Sequence, residues 1–122
     1  MKACPCGSGL AYTDCCKPLH DGLSPPSALA LMRSRYSAYA LGLVDYIQKT
    51  QQAPIDPKET QDFCQNTEFE RLEILSFGED WVHFIAHLKQ NGKPFKLAEK
   101  SYFKKIHSHW VYVKGDFLTL NK

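Results

Sequence analysis

Hydrophobic positions change period along the chain, and the changes divide it into three stretches. Between residues 26 and 50, Leu29, Met32, Tyr36, Tyr39, Leu43 and Tyr46 recur at alternating steps of three and four. That spacing predicts one continuous buried helical stripe. Pro26 or Ser27 opens the helix, because proline is tolerated in a first turn where its missing N–H would be unpaired anyway. Gly42 interrupts the stripe, so a second short helix is expected from Leu43 to Thr50. Asp56-Pro57-Lys58-Glu59 reads as another helix start, with Asp56 as cap, Pro57 at the first position and Glu59 able to reach back. This helix is expected to run from Pro57 to near Gln65, with Cys64 a buried thiol close to its end.

From Phe69 onward the period falls to two. Strands are expected over 70–77, 81–89, 95–106 and 110–114. The turns fall at Gly78-Glu79-Asp80, at Asn91-Gly92 and at His107-Ser108-His109, and Gly115-Asp116 is expected to end the last strand. In the second strand Val82, Phe84, Ala86 and Leu88 make an apolar face, while His83 and His87 lie on the other. Helices first and an antiparallel meander afterwards predict an α+β fold, with helices packed on one face of a curved sheet.

The first seventeen residues follow neither period. They hold four of the five cysteines, as Cys4-Pro-Cys6 and Cys15-Cys16. Such close spacing suits a disulfide framework poorly, and clustered cysteines in a cytoplasmic chain more often hold a metal. Zinc takes four soft or borderline ligands in a tetrahedron, and Cys4, Cys6, Cys15 and Cys16 supply four thiolates. Gly7 and Gly9 let the backbone turn between the ligand pairs and free N–H groups for the sulfurs. Lys2 and Lys17 could offset the negative charge. His20 is an alternative fourth ligand to Cys16, and a four-sulfur set accommodates iron as well. A site closed by four protein ligands leaves no position for water or substrate, so the metal is structural or a recognition scaffold. Residues 18–26, with Gly22 and Pro25-Pro26, read as a linker.

Composition narrows the setting. A length of 122 residues favours one main domain with a small appendage, here divided as 1–18 and 19–122. The net charge of +2 is too small to announce a nucleic-acid or membrane partner. The apolar stretch 38–44 is far short of the ~20 residues of a membrane span. No basic start runs into an apolar leader, which leaves the cytoplasm as the expected compartment.

One strand carries an anomaly. Glu99 and Ser101 share a face of the third strand with Phe95, Leu97 and Phe103. A carboxylate buried there needs a partner, and Arg33 and Arg35, at the edges of the helical stripe, are the candidates. Two outcomes fit: a structural Arg–Glu pair between helix and sheet, which we favour, or a polar floor for a small ligand. The second would be built from Arg33, Arg35, Tyr36, Tyr39, Glu99 and Ser101, with Glu99 as a general base. His83, His87, His107 and His109 show no convergent ligand spacing and read as solvated sheet-face and turn residues.

Cys-Pro-Cys-Gly-Ser-Gly, with eight residues between the inner cysteines and then Cys-Cys, resembles the SEC-C motif. That motif closes the C-terminus of the preprotein translocase motor, where it binds zinc and contacts partner proteins. The remainder resembles the YchJ-like family of uncharacterised bacterial proteins. The resemblance rests on Leu31-Met32-Arg33-Ser34-Arg35-Tyr36-Ser37-Ala38-Tyr39, Asp45-Tyr46-Ile47, Thr50, Glu99-Lys100-Ser101-Tyr102-Phe103 and Trp110-Val111-Tyr112-Val113-Lys114-Gly115. It implies a nuclear-transport-factor-2-like cone of helices wrapped against a curved sheet, and it carries the zinc-ligand roles to Cys4, Cys6, Cys15 and Cys16. It carries over no catalytic residue.

The expected function is therefore a zinc-binding adaptor, whose knuckle meets a protein or ribonucleoprotein partner. A small enzyme or ligand receptor using the cone is the alternative, and nucleic-acid binding through the knuckle ranks last. Cones of this architecture often pair through the open sheet face; the histidines and lysines there make a homodimer a weaker expectation.

Overall fold

The computed structural model describes residues 2–117. Helices α1 (Lys17–His20), α2 (Ala28–Leu41), α3 (Val44–Lys49) and α4 (Pro57–Asn66) precede strands β1 (Glu68–Phe77), β2 (Trp81–Gln90), β3 (Lys93–Ile106) and β4 (His109–Phe117). The helix ends follow local chemistry. The Ser27 hydroxyl accepts from the Ala30 N–H at 3.0 Å and caps α2. Gly42, at φ 73°, closes α2 in the left-handed conformation that favours glycine. The Asp56 carboxylate accepts from the N–H groups of Lys58 and Glu59 and starts α4.

The strands form one antiparallel sheet in the order β1-β2-β3-β4. Asn91 and Gly92 both have positive φ, as a two-residue turn matched to strand twist requires. His107 and Ser108 do the same at φ 50° and 69°, so the last hairpin is tighter than expected and β4 starts at His109. Register shifts in β1 and between β3 and β4 mark bulges, which bend and twist the sheet. One face of the bent sheet packs on α2: Leu31, Met32 and Tyr36 meet Leu72, Val82, Phe84, Phe103 and Trp110. A second cluster joins Ala38 to Tyr46, Ile47 and Cys64, which seats α3 and α4.

Three expectations need correction. The segment 18–26 is not linker throughout, because α1 occupies its start and buries Leu19. Gly115 does not end β4: pairing continues through Gly115 opposite Ser101 to Phe117 opposite Glu99. Helix α2 buries more than its apolar stripe, since Ser34 and Ser37 are fully buried and Arg35 nearly so. Among the described residues, no helix is long and apolar enough to cross a membrane.

Candidate metal centre and cavity

The knuckle is a short loop pinned at its base and folded over its own sulfurs. Ala3 and Ala11 form a bridge, and the Cys4 N–H donates to the Leu10 carbonyl at 2.9 Å. Gly7 at φ 78° and Gly9 at φ 90° turn the chain between the ligand pairs. A 3-10 turn, Tyr12–Asp14, then delivers Cys15 and Cys16 back to the first pair.

The four sulfurs lie within 4.8 Å of one another. Zinc–sulfur bonds of ~2.3 Å in a tetrahedron imply sulfur–sulfur edges of about 3.8 Å. Cys6 to Cys15 is 3.6 Å and Cys15 to Cys16 is 4.0 Å, so two edges of the cluster already match those of a tetrathiolate. Cys4, Cys6 and Cys16 are buried and Cys15 is half-buried. The hydrogen bond with Cys16 holds the Cys6 thiol down at about 4, with the Ser8 hydroxyl and N–H acting in the same direction. The same Cys6 contact, followed by burial, pushes Cys16 up. Four thiols this close cannot all ionise unless a cation takes the place of their protons, so the donor set fits a soft divalent metal.

Residues within and beyond the loop complete the cage. Ser8 Oγ lies 3.1 Å from Cys15 Sγ. Ser37 Oγ on α2 donates to Cys16 Sγ at 3.4 Å and sits the same distance from Cys4 Sγ. Arg33 Nη1 donates to the Cys6 carbonyl at 2.9 Å, which brings a guanidinium beside the sulfurs. Lys17, expected in that role, is instead paired with Asp21 at 2.8 Å. His20 is engaged elsewhere: Nε2 donates to the Ser34 carbonyl at 2.8 Å and Nδ1 accepts from the Tyr12 hydroxyl at 2.7 Å. With both ring nitrogens used, it is no rival to Cys16. Gly7 also lies against β1, where a Cβ would touch the Leu72 carbonyl at 3.5 Å. The knuckle is thus seated on α2 and β1.

Glu99 lies on the other side of α2. It is 7% exposed and sits on the inner sheet face with Ser101. The expected arginine pair is absent: among the described residues neither Arg33 nor Arg35 makes an ion pair with Glu99. Its Oε2 instead accepts from Ser101 Oγ at 2.6 Å and from the Tyr112 hydroxyl at 2.9 Å. Arg35 spends its donors on the Ile47 carbonyl, Thr50 Oγ1 and Gln51 Oε1. Its guanidinium then stacks 4.8 Å from the centre of the Tyr112 ring. Arg33 belongs to the knuckle, whereas Arg35, Tyr36, Tyr39, Glu99 and Ser101 line one cavity of about 540 Å³.

Several of these contributors escaped the hydrophobic pattern. Ser34 and Ser37 are small polar residues on the helix face that the stripe leaves over, and their size lets the knuckle approach. Tyr112, an aromatic of the last strand, is the donor that holds Glu99. Gly115 had a visible signal, an isolated glycine where a backbone must make room. A Cβ there would collide with the Glu99 carboxylate.

A thiolate cage mounted on a helix-backed, bent antiparallel sheet defines a small class: cone domains with an N-terminal cysteine knuckle. A family model described as "YchJ, middle NTF2-like domain" matches residues 27–115, and the chain belongs to that family. A UPF0225 protein of Deinococcus radiodurans is 40% identical over 115 residues, covering 93% of this chain and 88% of that protein. A UPF0225 protein of Vibrio parahaemolyticus is 34% identical over 126 residues, covering 95% and 75%. The solution structure of a SEC-C motif containing protein from Rhodopseudomonas palustris superposes with a TM-score of 0.84 at 35% identity, covering 95% of this chain and 98% of that one. A SEC-C motif containing protein from Psychrobacter arcticus gives 0.80 at 27% identity, covering 100% and 86%.

Proposed function

We propose that the protein is a zinc-binding contact module, in which the knuckle meets a protein or ribonucleoprotein partner and the cone holds the knuckle rigid. One observation carries this: the knuckle is clamped to α2 by Arg33, Ser37 and His20 on one side, while Leu10 at its free edge is 53% exposed. A loop that small gains little stability from an exposed leucine, whereas a partner surface gains an apolar anchor. Zinc is the metal that four thiolates in a closed tetrahedron suit best, and it performs no chemistry there. The cytoplasm, a reducing compartment, suits such thiolates. The contact role of the SEC-C motif elsewhere is an analogy that points the same way.

The test is photo-crosslinking in cells from a reactive residue placed at Thr13, exposed on the 3-10 turn of the knuckle, with and without Leu10→Asp. One or a few partners captured by the parent, and lost with Leu10→Asp while zinc stays at one per chain, would support the module. Capture that ignores Leu10→Asp would end it.

A further inference from the structure

We infer that the cone cavity is a binding site for a small neutral aromatic molecule carrying one hydrogen-bond donor, such as a phenol or an N–H heterocycle. The inference is independent of what the knuckle contacts, because the cavity lies between α2, α4 and the inner sheet face and none of the four knuckle cysteines lines it.

The volume, about 540 Å³, falls in the ~300–1,000 Å³ range of small-molecule pockets. Its two ends differ in chemistry. One end is apolar and aromatic: Tyr39, Phe63 and Phe69 pack edge to face or tilted, with ring centres 5.9 to 6.4 Å apart. Such walls favour a flat ring. The other end is built from Glu99, Ser101, Tyr112 and Arg35.

That polar end is prepared for a donor. Glu99 Oε2 is saturated by Ser101 and Tyr112, but among the described residues no donor reaches Oε1. Oε1 is not sealed off by protein, so it is open to the cavity as a free acceptor. Gly115 reinforces the point, since the absence of its side chain is what gives the carboxylate its space. The Tyr36 hydroxyl, on another residue that lines the cavity, is buried without a partner.

Charge selects the ligand class. An anion would meet the Glu99 carboxylate, and a cation would meet the Arg35 guanidinium, which stacks on the same Tyr112 that donates to Glu99. A neutral O–H or N–H avoids both and gains a charge-assisted hydrogen bond, roughly twice as strong as a neutral one. The lining includes Glu59 on α4 and Phe117 on β4, both exposed, so the cavity reaches the surface.

The experiment is a titration of zinc-supplemented, isotope-labelled full chain with 2-naphthol, and with naphthalene as the donor-free control, followed by amide chemical shifts. Saturable shifts centred on Ser101, Tyr112 and Gly115, with naphthalene at least about tenfold weaker, are the expected result. Glu99→Gln keeps an oxygen but removes the charge, and should weaken 2-naphthol about tenfold. Leu97→Trp fills the apolar end without altering Glu99, and should abolish binding of both probes; it decides the matter if Glu99→Gln fails to fold. No saturable shift at millimolar probe, equal affinity for the two probes, or shifts confined to the knuckle or the outer sheet face would each overturn the inference.

Discussion

The knuckle and the cone are held together by different forces, and α2 serves both. In the knuckle the buried cluster is Cys4, Cys6 and Cys16, with Tyr12 and Cys15 packed around them. Its core is therefore its ligand set, and without a cation it has almost nothing else to bury. The cone buries Leu31, Ile47 and Val82 completely and needs no ion to do so. Helix α2 turns Arg33, Ser34 and Ser37 toward the knuckle, and Met32, Arg35 and Tyr36 toward the sheet and its cavity. A small domain can thus carry an element that it could not stabilise by burial alone, provided one helix offers small, polar residues on its spare face.

The sharpest way to break that contrast is to remove a ligand. Cys6→Ser is expected to release the metal and unfold residues 2–20 while the cone persists. Metal binding is worth ~10–16 kcal/mol in comparable zinc knuckles, which makes this the largest effect available. Elemental mass spectrometry and amide hydrogen exchange would read it. Full metal content with protected knuckle amides would mean that the four sulfurs are not the site.

Deleting residues 1–18 asks the complementary question, whether the cone stands without its knuckle. The Arg33 bond to Cys6 and the two Ser37 contacts to Cys16 and Cys4 would be exchanged for water, whereas His20 and its bond to the Ser34 carbonyl remain. At ~1 kcal/mol for each such hydrogen bond, a loss of about 3 kcal/mol is expected, with denaturant melting still cooperative. A broad, non-cooperative melt would show that the cone depends on the knuckle.

This difference in forces also explains what could be read in advance. Periods of 3.6 and 2 mark apolar burial, so α2, the α3 and α4 boundaries and the four-stranded meander were legible from Leu29 to Val111. The cysteine cage was legible for a separate reason, because thiolates at that spacing have few other uses. The polar contacts were not legible. Arg33 and Arg35 are two residues apart on one helix and look equivalent in sequence, yet the helix turn sends one to Cys6 and the other to Thr50 and Tyr112. The partner of Glu99 was misjudged because a hydroxyl thirteen residues away competes with an arginine only once the β3–β4 register is known. The same register places Gly115 opposite Ser101 within the pair, where the sequence pattern alone predicts a strand end.

A smaller effect sharpens the cone side. Gly115→Ala should destabilise the domain by ~1–3 kcal/mol, the usual range for overpacking, by forcing the Glu99 carboxylate away from Ser101 and Tyr112. The combined change Gly115→Ala with Glu99→Ala removes the obstructing group, so the two losses should fall short of additivity in thermal melts. Strict additivity would mean that the glycine serves backbone freedom alone.

The smallest expected effect lies at the seam between the two regions, in His20. Burial, first of all, holds its imidazole below the ordinary value of 6.5. The neutral ring is also the form its contacts require, donating from Nε2 to Ser34 and accepting at Nδ1 from Tyr12. A histidine depressed in the folded state binds its proton more readily when unfolded. Its contribution to stability is therefore complete above the unfolded value and is lost as pH falls from 6.5 through the lower folded value. His20→Gln keeps a donor for the Ser34 carbonyl but does not titrate. Comparing the two proteins from about pH 7.5 down to about 5.5 cancels the common protonation of the cysteines, and the stability advantage of the parent should shrink over that window. An advantage that grows instead would mean that His20 is charged where the knuckle meets α2, and that the seam is held by charge rather than by a buried neutral ring.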